Sequence, residues 1–467
     1  MALRLYNSLG RELSAFTPLE EGEVRMYTCG PTVWNYAHIG NFRTFVFEDV
    51  LRRYLKFKGY HVTQVMNITD VEDKIIKGMK LLNLSLVDLT SKFEQAFMDD
   101  ISSLNVEKAE VYPHATKHIP EMVELIKTLL AKGYAYRAED GSIYYDVSKF
   151  ESYGALSGIR PSELVAGARV KNDSYEKDQA NDFALWKAWD ADDGEVFWDT
   201  ELGKGRPGWS IECSAMSMKY LGETFDIHTG GIDNKFPHHE NEIAQSEAAT
   251  GKKFVRYWLH SEFLNVRGEE MHKSSGNIVT FRELTEQGWK PRVIRLFLIS
   301  AHYRDRLDLT DESLQQAKTN IARMDSFAER VRDCAVDPGG SAGVAETTRM
   351  LEEFERAMDD DLNIAQALAA LYGFMREVNS LIDSGRLSAS GREAIVGALG
   401  RVDSVLGVMQ PATAAPLSAR ADALIREREE ARRRRDFKRA DEIRVQLKSE
   451  GISIEDKPGG GTSWKYD

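Results

Sequence analysis

A chain of 467 residues with 42% hydrophobic and 29% charged side chains has the balance of a folded globular protein with a large core, divisible into about two to four domains. Its opening, MALRLYNSLGRELSAF, lacks the basic-then-apolar profile of a secretory leader, and no apolar run approaches the ~20 residues of a membrane span, so a cytoplasmic protein with no membrane partner is expected. The net charge of -13 excludes a surface coated in basic patches but not a local nucleic-acid site, and the 3 cysteines, Cys29, Cys213 and Cys334, are too few and scattered for a disulfide framework, which leaves thiols or metal ligands.

In chain order, VRMYT reads as a strand, CGPTVWNYAHIGN as a glycine-bounded turn, FRTFVFEDVLRRYLKFKG as a helix and YHVTQVMNIT as a second strand. Phe42, Phe45, Val46, Val50, Leu51 and Leu55 recur at helical spacing, Gly59 suits the C-cap, and the β-branched run after it suits a buried parallel strand. This is the opening of a Rossmann-like, doubly wound α/β domain with a parallel sheet. Helices are expected at roughly 85–104 and 117–132, GSIYYDV and the polar segment around 158–200 read as an inserted, partly β region, and a second α/β portion runs from GWSIECSAM to about 260. Beyond about 310, amphipathic runs separated by polar or glycine-containing breaks predict an α-helical bundle, and after the linker-like QPATAAPLSA comes a small C-terminal domain. The expected division is 1–118 and 205–310 for the two halves of the α/β domain, 119–204 for the inserted connective region, 311–410 for the bundle and 411–467 for the terminal domain.

Three stretches carry chemistry. HIGN, His38 to Asn41, lies where the first turn enters its helix; unpaired N–H groups and the positive dipole end favour a phosphate there, and Gly40 lets a base or phosphate approach the backbone. The plain alternative is a turn histidine beside a helix cap. EEMHKSSGN, 269–277, puts Lys273 in a loop of small residues, where an ammonium can neutralise the charge of a departing pyrophosphate. FPHHENE, 236–242, predicts a helix beginning at Pro237, with Asp233 or Asn234 able to cap it. His238 stands four residues from Glu242 and His239 three, so either can share its face, and spacing leaves that choice open. The His-Glu-x-x-His protease pattern is excluded, because Ile243 stands where its second histidine belongs.

HIGN and the lysine loop resemble the paired signatures of class I aminoacyl-tRNA synthetases. TCGPTVWNYAHIGN, NITDVEDKII, GWSIECSAMS, DIHTGG and FPHHENEIAQS further resemble the blocks of cysteinyl-tRNA synthetases, in that family's order. Asn41 departs from the histidine of many class I enzymes, and Glu270 and His272 from the usual lysine and serine of the loop. The resemblance implies one zinc ion per chain held by Cys29, Cys213, His238 and Glu242, with His239 left unassigned. It implies an amino-acid pocket at Gly30, Thr69, Trp209 and His228, an ATP site at His38, Gly40, Asn41 and Lys273 with magnesium on the ATP, and catalytic roles for His38, Asn41 and Lys273. The implied reaction joins L-cysteine to ATP as cysteinyl-adenylate and passes the acyl group to tRNA(Cys). Zinc would separate cysteine from serine by bond type, which shape alone does poorly, so no editing domain is needed. A monomer is expected.

REREEARRRRDFKRADEIR interleaves both signs, and its plain reading is a solvated, salt-bridged helix. Its local excess is basic, and Arg432 to Arg435 beside Phe437 suit phosphates and stacked bases. The resemblance implies anticodon contacts at Arg432, Phe437, Asp441 and Asp456. Two rivals are a cysteine ligase with a small amine acceptor, as in mycothiol synthesis, and a catalytically silent tRNA- or zinc-binding paralogue. A small acceptor has no use for the basic terminal helices; Glu270 and His272 are what raises the silent paralogue.

Overall fold

The structure is a computed structural model that describes residues 2–158, 164–170, 180–271, 276–409, 419–449, 452–456 and 462–466. At its centre lie β1 (Glu23–Thr28), α1 (Ile39–Phe57), β2 (His61–Met66), α2 (Trp209–Leu221), β3 (Phe225–Gly231), α3 (Glu240–Thr250) and β4 (Val255–Ser261). The strands form a 4-stranded, wholly parallel sheet in the order β4-β3-β1-β2. Both faces of the sheet are covered, so its strands are buried almost continuously rather than in alternation. The periodic apolar residues of α1, from Phe42 to Leu55, are all buried, as the spacing predicts.

The chain leaves β1 toward β2 on one side and β3 toward β4 on the other. Winding therefore reverses between β1 and β3, and the crevice beyond their C-terminal ends is the place where such sheets bind ligands.

The region inserted between β2 and α2 has the helices Asp73–Leu82, Leu86–Ser103 and Ile119–Ala131, then a mixed sheet in which Ile143–Tyr145 and Ala180–Ala188 are central. Tyr145 and Phe183 stack at 5.0 Å in its core. After β4 comes a small sheet that the sequence reading did not anticipate: Leu264–Val266 runs antiparallel to Glu269–Glu270 and parallel to Leu307–Leu309. Helices α4 (Asp311–Asp333), α5 (Val344–Asp359), α6 (Ile364–Asp383) and α7 (Ala389–Leu406) form the bundle. It is tied to α1 by Arg295, fully buried, whose guanidinium donates to Asp49 Oδ2 at 2.5 Å and to Leu406 O at 2.7 Å.

The chain divides into two compact units, Met1–Val408 and Met409–Asp467. The second packs α8 (Ala419–Arg433), α9 (Phe437–Ser449) and the hairpin Ile452–Asp456 with Thr462–Tyr466 around Ala421, Ile425, Ile443, Leu447 and Ile454. No helix among the described residues is long and apolar enough to cross a membrane.

Candidate active site

The crevice is built from the residues that follow each parallel strand. Cys29 comes directly after β1, and its N–H donates to Thr229 O at 3.2 Å, continuing the β1–β3 pairing. Gly30 N donates to Asn67 Oδ1 at 2.9 Å. A Cβ on Gly30 would lie 1.7 Å from Asn67 O, so the close approach of the two segments requires glycine. Asn67 Nδ2 donates to Thr69 Oγ1 at 3.1 Å, and Thr69 Oγ1 donates to Glu212 Oε2 at 3.1 Å. The residues beside Cys29 and Cys213 are thus joined by one buried hydrogen-bond chain. Trp209, the first residue of α2, stacks on the His238 ring at 4.0 Å, and Cys213 lies one turn further along that helix.

Cys29, Cys213, His238 and Glu242 are all buried, and each can bring one ligand atom to within 4.8 Å of the other three. His238 Nε2 is 3.1 Å from Glu242 Oε1, against 3.9 Å for His239 Nε2. His238 Nδ1 contacts Ser210 Oγ at 3.2 Å, which orients the ring. Glu242 Oε2 meets His228 Nε2 at 2.9 Å, while its Oε1 receives no hydrogen bond. His239 faces differently: Nε2 is 3.2 Å from Cys29 Sγ and Nδ1 is 2.8 Å from His260 Nε2, whose own Nδ1 is 2.7 Å from Ser8 Oγ. A second set, Cys29, His228, His239 and Glu242, also brings its atoms within 4.8 Å. Both sets share Cys29 and Glu242.

Burial dominates the electrostatics. It pushes the Cys29 thiol well above its ordinary value, helped by the neighbouring Cys213, and raises the Glu242 carboxyl. It also acts to raise Cys213, but hydrogen bonds from Cys29 and Tyr27 and the field of His228 bring that thiol below its ordinary value. Burial pulls His239 well down. A pocket that opposes several anions at once, yet is furnished with sulfur, nitrogen and oxygen donors and a carboxylate oxygen without a donor, fits a divalent cation such as zinc.

The helix expected to begin at Pro237 is found there: helical backbone runs from Pro237 through His239 into α3, whose regular hydrogen-bond pattern begins at Glu240. Phe236, just before Pro237, is extended (φ -141°, ψ 134°) and kinks the chain there; no side-chain cap comes from Asn234, and His239 N donates to Asn234 O at 2.8 Å. Successive positions on a helix point in different directions, so the adjacent histidines face separate partners, Trp209 and Ser210 for one and His260 for the other.

At the other side of the crevice His38 is the N-cap of α1. Its Nδ1 accepts from Asn41 N at 3.3 Å while Asn41 Oδ1 accepts from His38 N at 3.1 Å, a reciprocal capping box. Because Nδ1 accepts, the ring proton sits on Nε2, which is then a donor. A Cβ on Gly40 would lie 2.6 Å from Met271 Cε, and Ile39 N donates to Val279 O at 2.8 Å. The two flanks of the lysine loop therefore meet at the start of α1. Lys273 and His272 lie outside the described residues, and Glu270 accepts at its carbonyl from Asn277 Nδ2 at 2.9 Å.

In the terminal unit, Phe437 is 61% exposed, Asp441 is exposed one turn further on α9, and Arg432 is half-buried on α8. Asp456 ends its strand, and its side chain lies outside the described residues. Sequence reasoning missed Tyr27, Asn67, Ser210, Glu212 and His260. Their one legible signal was position: Tyr27, Asn67 and His260 fall at the C-terminal ends of parallel strands, and Ser210 and Glu212 in the first turn of a helix that faces them.

Residues 15–319 match the family described as tRNA synthetases class I (C) catalytic domain, residues 353–410 the DALR domain, and residues 414–464 the cysteinyl-tRNA ligase anticodon binding domain. The chain is 47% identical to the cysteine–tRNA ligase of Brachyspira hyodysenteriae, with 98% of each chain covered. It is 48% identical to that of Solibacter usitatus, with 100% of each covered. Among solved structures, Mycobacterium tuberculosis methionyl-tRNA synthetase in complex with methionyl-adenylate aligns with a TM-score of 0.64 over 86% of this chain and 93% of that one, at 15% identity, a likeness of fold.

Proposed function

The chain belongs to the cysteine–tRNA ligase family of class I aminoacyl-tRNA synthetases, and from that premise we propose that it activates L-cysteine with ATP as cysteinyl-adenylate and transfers the acyl group to tRNA(Cys), a zinc ion selecting the substrate thiolate. The observation that carries this reading is the convergence of Cys29, Cys213, His238 and Glu242, from distant parts of the chain, at the switch point of the sheet. Of the two possible sets, this one offers two thiolates, the softer donors, and His238 Nε2 lies 3.1 Å from the Glu242 oxygen that receives no hydrogen bond, whereas His228 is engaged by the other oxygen. Bound zinc would supply a soft Lewis acid that accepts a thiolate far better than a hydroxyl.

This chain's own side chains do the rest. Trp209 and Ser210 hold the His238 ring, and His228 orients Glu242. Thr69, Gly30 and His228 line the amino-acid side of the crevice. The reaction needs no enzyme nucleophile, since the carboxylate of cysteine attacks the α-phosphate of ATP and pyrophosphate leaves. His38 donates to phosphate through Nε2–H, Gly40 leaves room for phosphate at the start of α1, and Asn41 holds the His38 ring in that tautomer through the capping box. Lys273, together with magnesium on the ATP, offsets the charge gathering on the departing pyrophosphate. Arg432, Phe437, Asp441 and Asp456 would read the anticodon, with Phe437 as the stacking surface.

The match of residues 414–464 to an anticodon-binding family and the full-length coverage of tRNA ligases favour tRNA over a small amine acceptor. The test is aminoacylation of total tRNA by the zinc-loaded chain. Cysteine should be attached and serine should not. Cys213→Ser should lose zinc and cysteine affinity, whereas Lys273→Ala should keep zinc and slow adenylate formation. Equal zinc content in wild type and Cys213→Ser contradicts the ligand set.

A further inference from the structure

Arg43 lies in the first turns of α1, five residues after the capping His38, and is 2% exposed. Its partners are backbone carbonyls rather than a carboxylate: Nη1 donates to Phe263 O at 2.6 Å, and Nη2 donates to His302 O at 3.1 Å and to Asp305 O. Burial lowers its pKa to about 10 against the opposing fields of Glu262 and Asp305, so it is charged at neutral pH. A buried guanidinium serving only main-chain acceptors is costly, and what those acceptors share is informative.

Phe263 leads into Leu264–Val266, the central strand of the small sheet, whose partner Glu269–Glu270 runs directly into Met271 and the lysine loop. His302 and Asp305 precede Leu307–Leu309, the strand on the other side. Phe263 O also accepts from Leu307 N at 3.2 Å, so the fork of Arg43 closes on the end where the two parallel strands begin to pair. The same end of α1 holds the far side of this stretch, with Gly40 against Met271 and Ile39 N on Val279 O at 2.8 Å.

We propose that Arg43 is a positioning residue for adenylate formation: through the carbonyls of Phe263, His302 and Asp305 it fixes the strand pair that carries the lysine loop relative to the phosphate-facing start of α1. Lysine cannot replace it, because a single ammonium does not span three carbonyls on two segments as a planar fork does. This inference rests on the adenylate reaction proposed above.

The experiment is cysteine-dependent ATP–pyrophosphate exchange by the zinc-loaded full chain, comparing wild type, Arg43→Lys, Met271→Ala and the double variant, with zinc content and hydrogen–deuterium exchange measured in parallel. Arg43→Lys should lower kcat by about tenfold or more, the scale set by small misplacements of reacting groups. It should keep zinc content and the cysteine KM, and speed exchange in peptides covering 264–271 and 276–280 but not 225–231. Met271→Ala, which touches α1 from a half-buried site, should lower kcat in the same sense, and the double variant should lose little beyond the worse single one. Wild-type kcat in Arg43→Lys, or a loss shared equally by zinc content and cysteine KM, overturns the proposal. So does wild-type kcat in Met271→Ala, which remains decisive if Arg43→Lys does not fold. A wild type without cysteine-dependent exchange removes the reaction itself, and this inference with it.

Discussion

Gly30→Ala is a one-methyl change with a large expected effect. The added Cβ would sit 1.7 Å from Asn67 O and 2.9 Å from Asn67 C, both backbone atoms that cannot rotate aside. Asn67 belongs to a segment pinned from its other side, Met66 N to Val111 O at 3.0 Å and Ile68 N to Pro113 O at 2.8 Å, so it is the Cys29–Pro31 turn that must yield. Overpacking a tight interior costs about 1–3 kcal/mol, and the turn also loses the Gly30 N to Asn67 Oδ1 bond, worth about 1 kcal/mol, giving about 2–4 kcal/mol in all. The same displacement carries Cys29 Sγ out of the cluster, so zinc affinity should fall together with stability. The assay is zinc per chain after gel filtration alongside the thermal midpoint of the purified protein. A variant with wild-type zinc content and an unmoved midpoint would refute the reasoning.

Gly40→Ala makes the opposite case. Its Cβ meets the mobile end of Met271 at 2.6 Å rather than backbone, so the midpoint and zinc content should stay near wild type while the ATP KM rises in pyrophosphate exchange; unchanged ATP kinetics would count against a nucleotide at this helix start. Glu48 is fully buried beneath β3, accepts from Thr229 Oγ1 at 2.8 Å, and is raised by burial to about 8 from an ordinary 4.5. Between those values the unfolded chain has released a proton that the folded chain keeps, so stability is greatest below the lower value and falls as pH rises to the upper one, by roughly 5 kcal/mol. Glu48→Gln keeps the Thr229 bond and should flatten the fall in thermal midpoint between pH 5 and pH 8; parallel slopes in the two proteins would contradict this.

The doubly wound sheet was legible because its signals are local. The spacing from Phe42 to Leu55 marks a helix face, and the β-branched run after Gly59 marks a buried strand. The small sheet around Leu264–Val266 was not, since its strands are 2 or 3 residues long and borrow their stability from distant partners. In the site, the ordering of blocks carried the ligand assignment, whereas helical spacing alone left His238 and His239 level. The structure distinguishes them by their surroundings: one lies beneath Trp209 and beside Glu242, the other bridges Cys29 and His260. Pro237 marked the helix start because proline suits the first helical position after an extended residue, here Phe236, whereas the caps expected from Asp233 or Asn234 do not form. At HIGN the structure shows the plain reading, a histidine capping its helix, and the same capping box sets the tautomer that the proposed phosphate would meet. Arg43 could not have been found, because in sequence it is one more charged position on an amphipathic helix, and its acceptors lie 220 to 262 residues away.

X-ray absorption at the zinc edge of the purified, zinc-loaded chain, without and with saturating cysteine, tests the proposed role of the metal most directly. Two sulfur scatterers, from Cys29 and Cys213, with one imidazole and one carboxylate are predicted before cysteine is added, three sulfurs after it, and no change with serine. A sulfur count that stays the same when cysteine binds would contradict selection of the substrate through its thiolate.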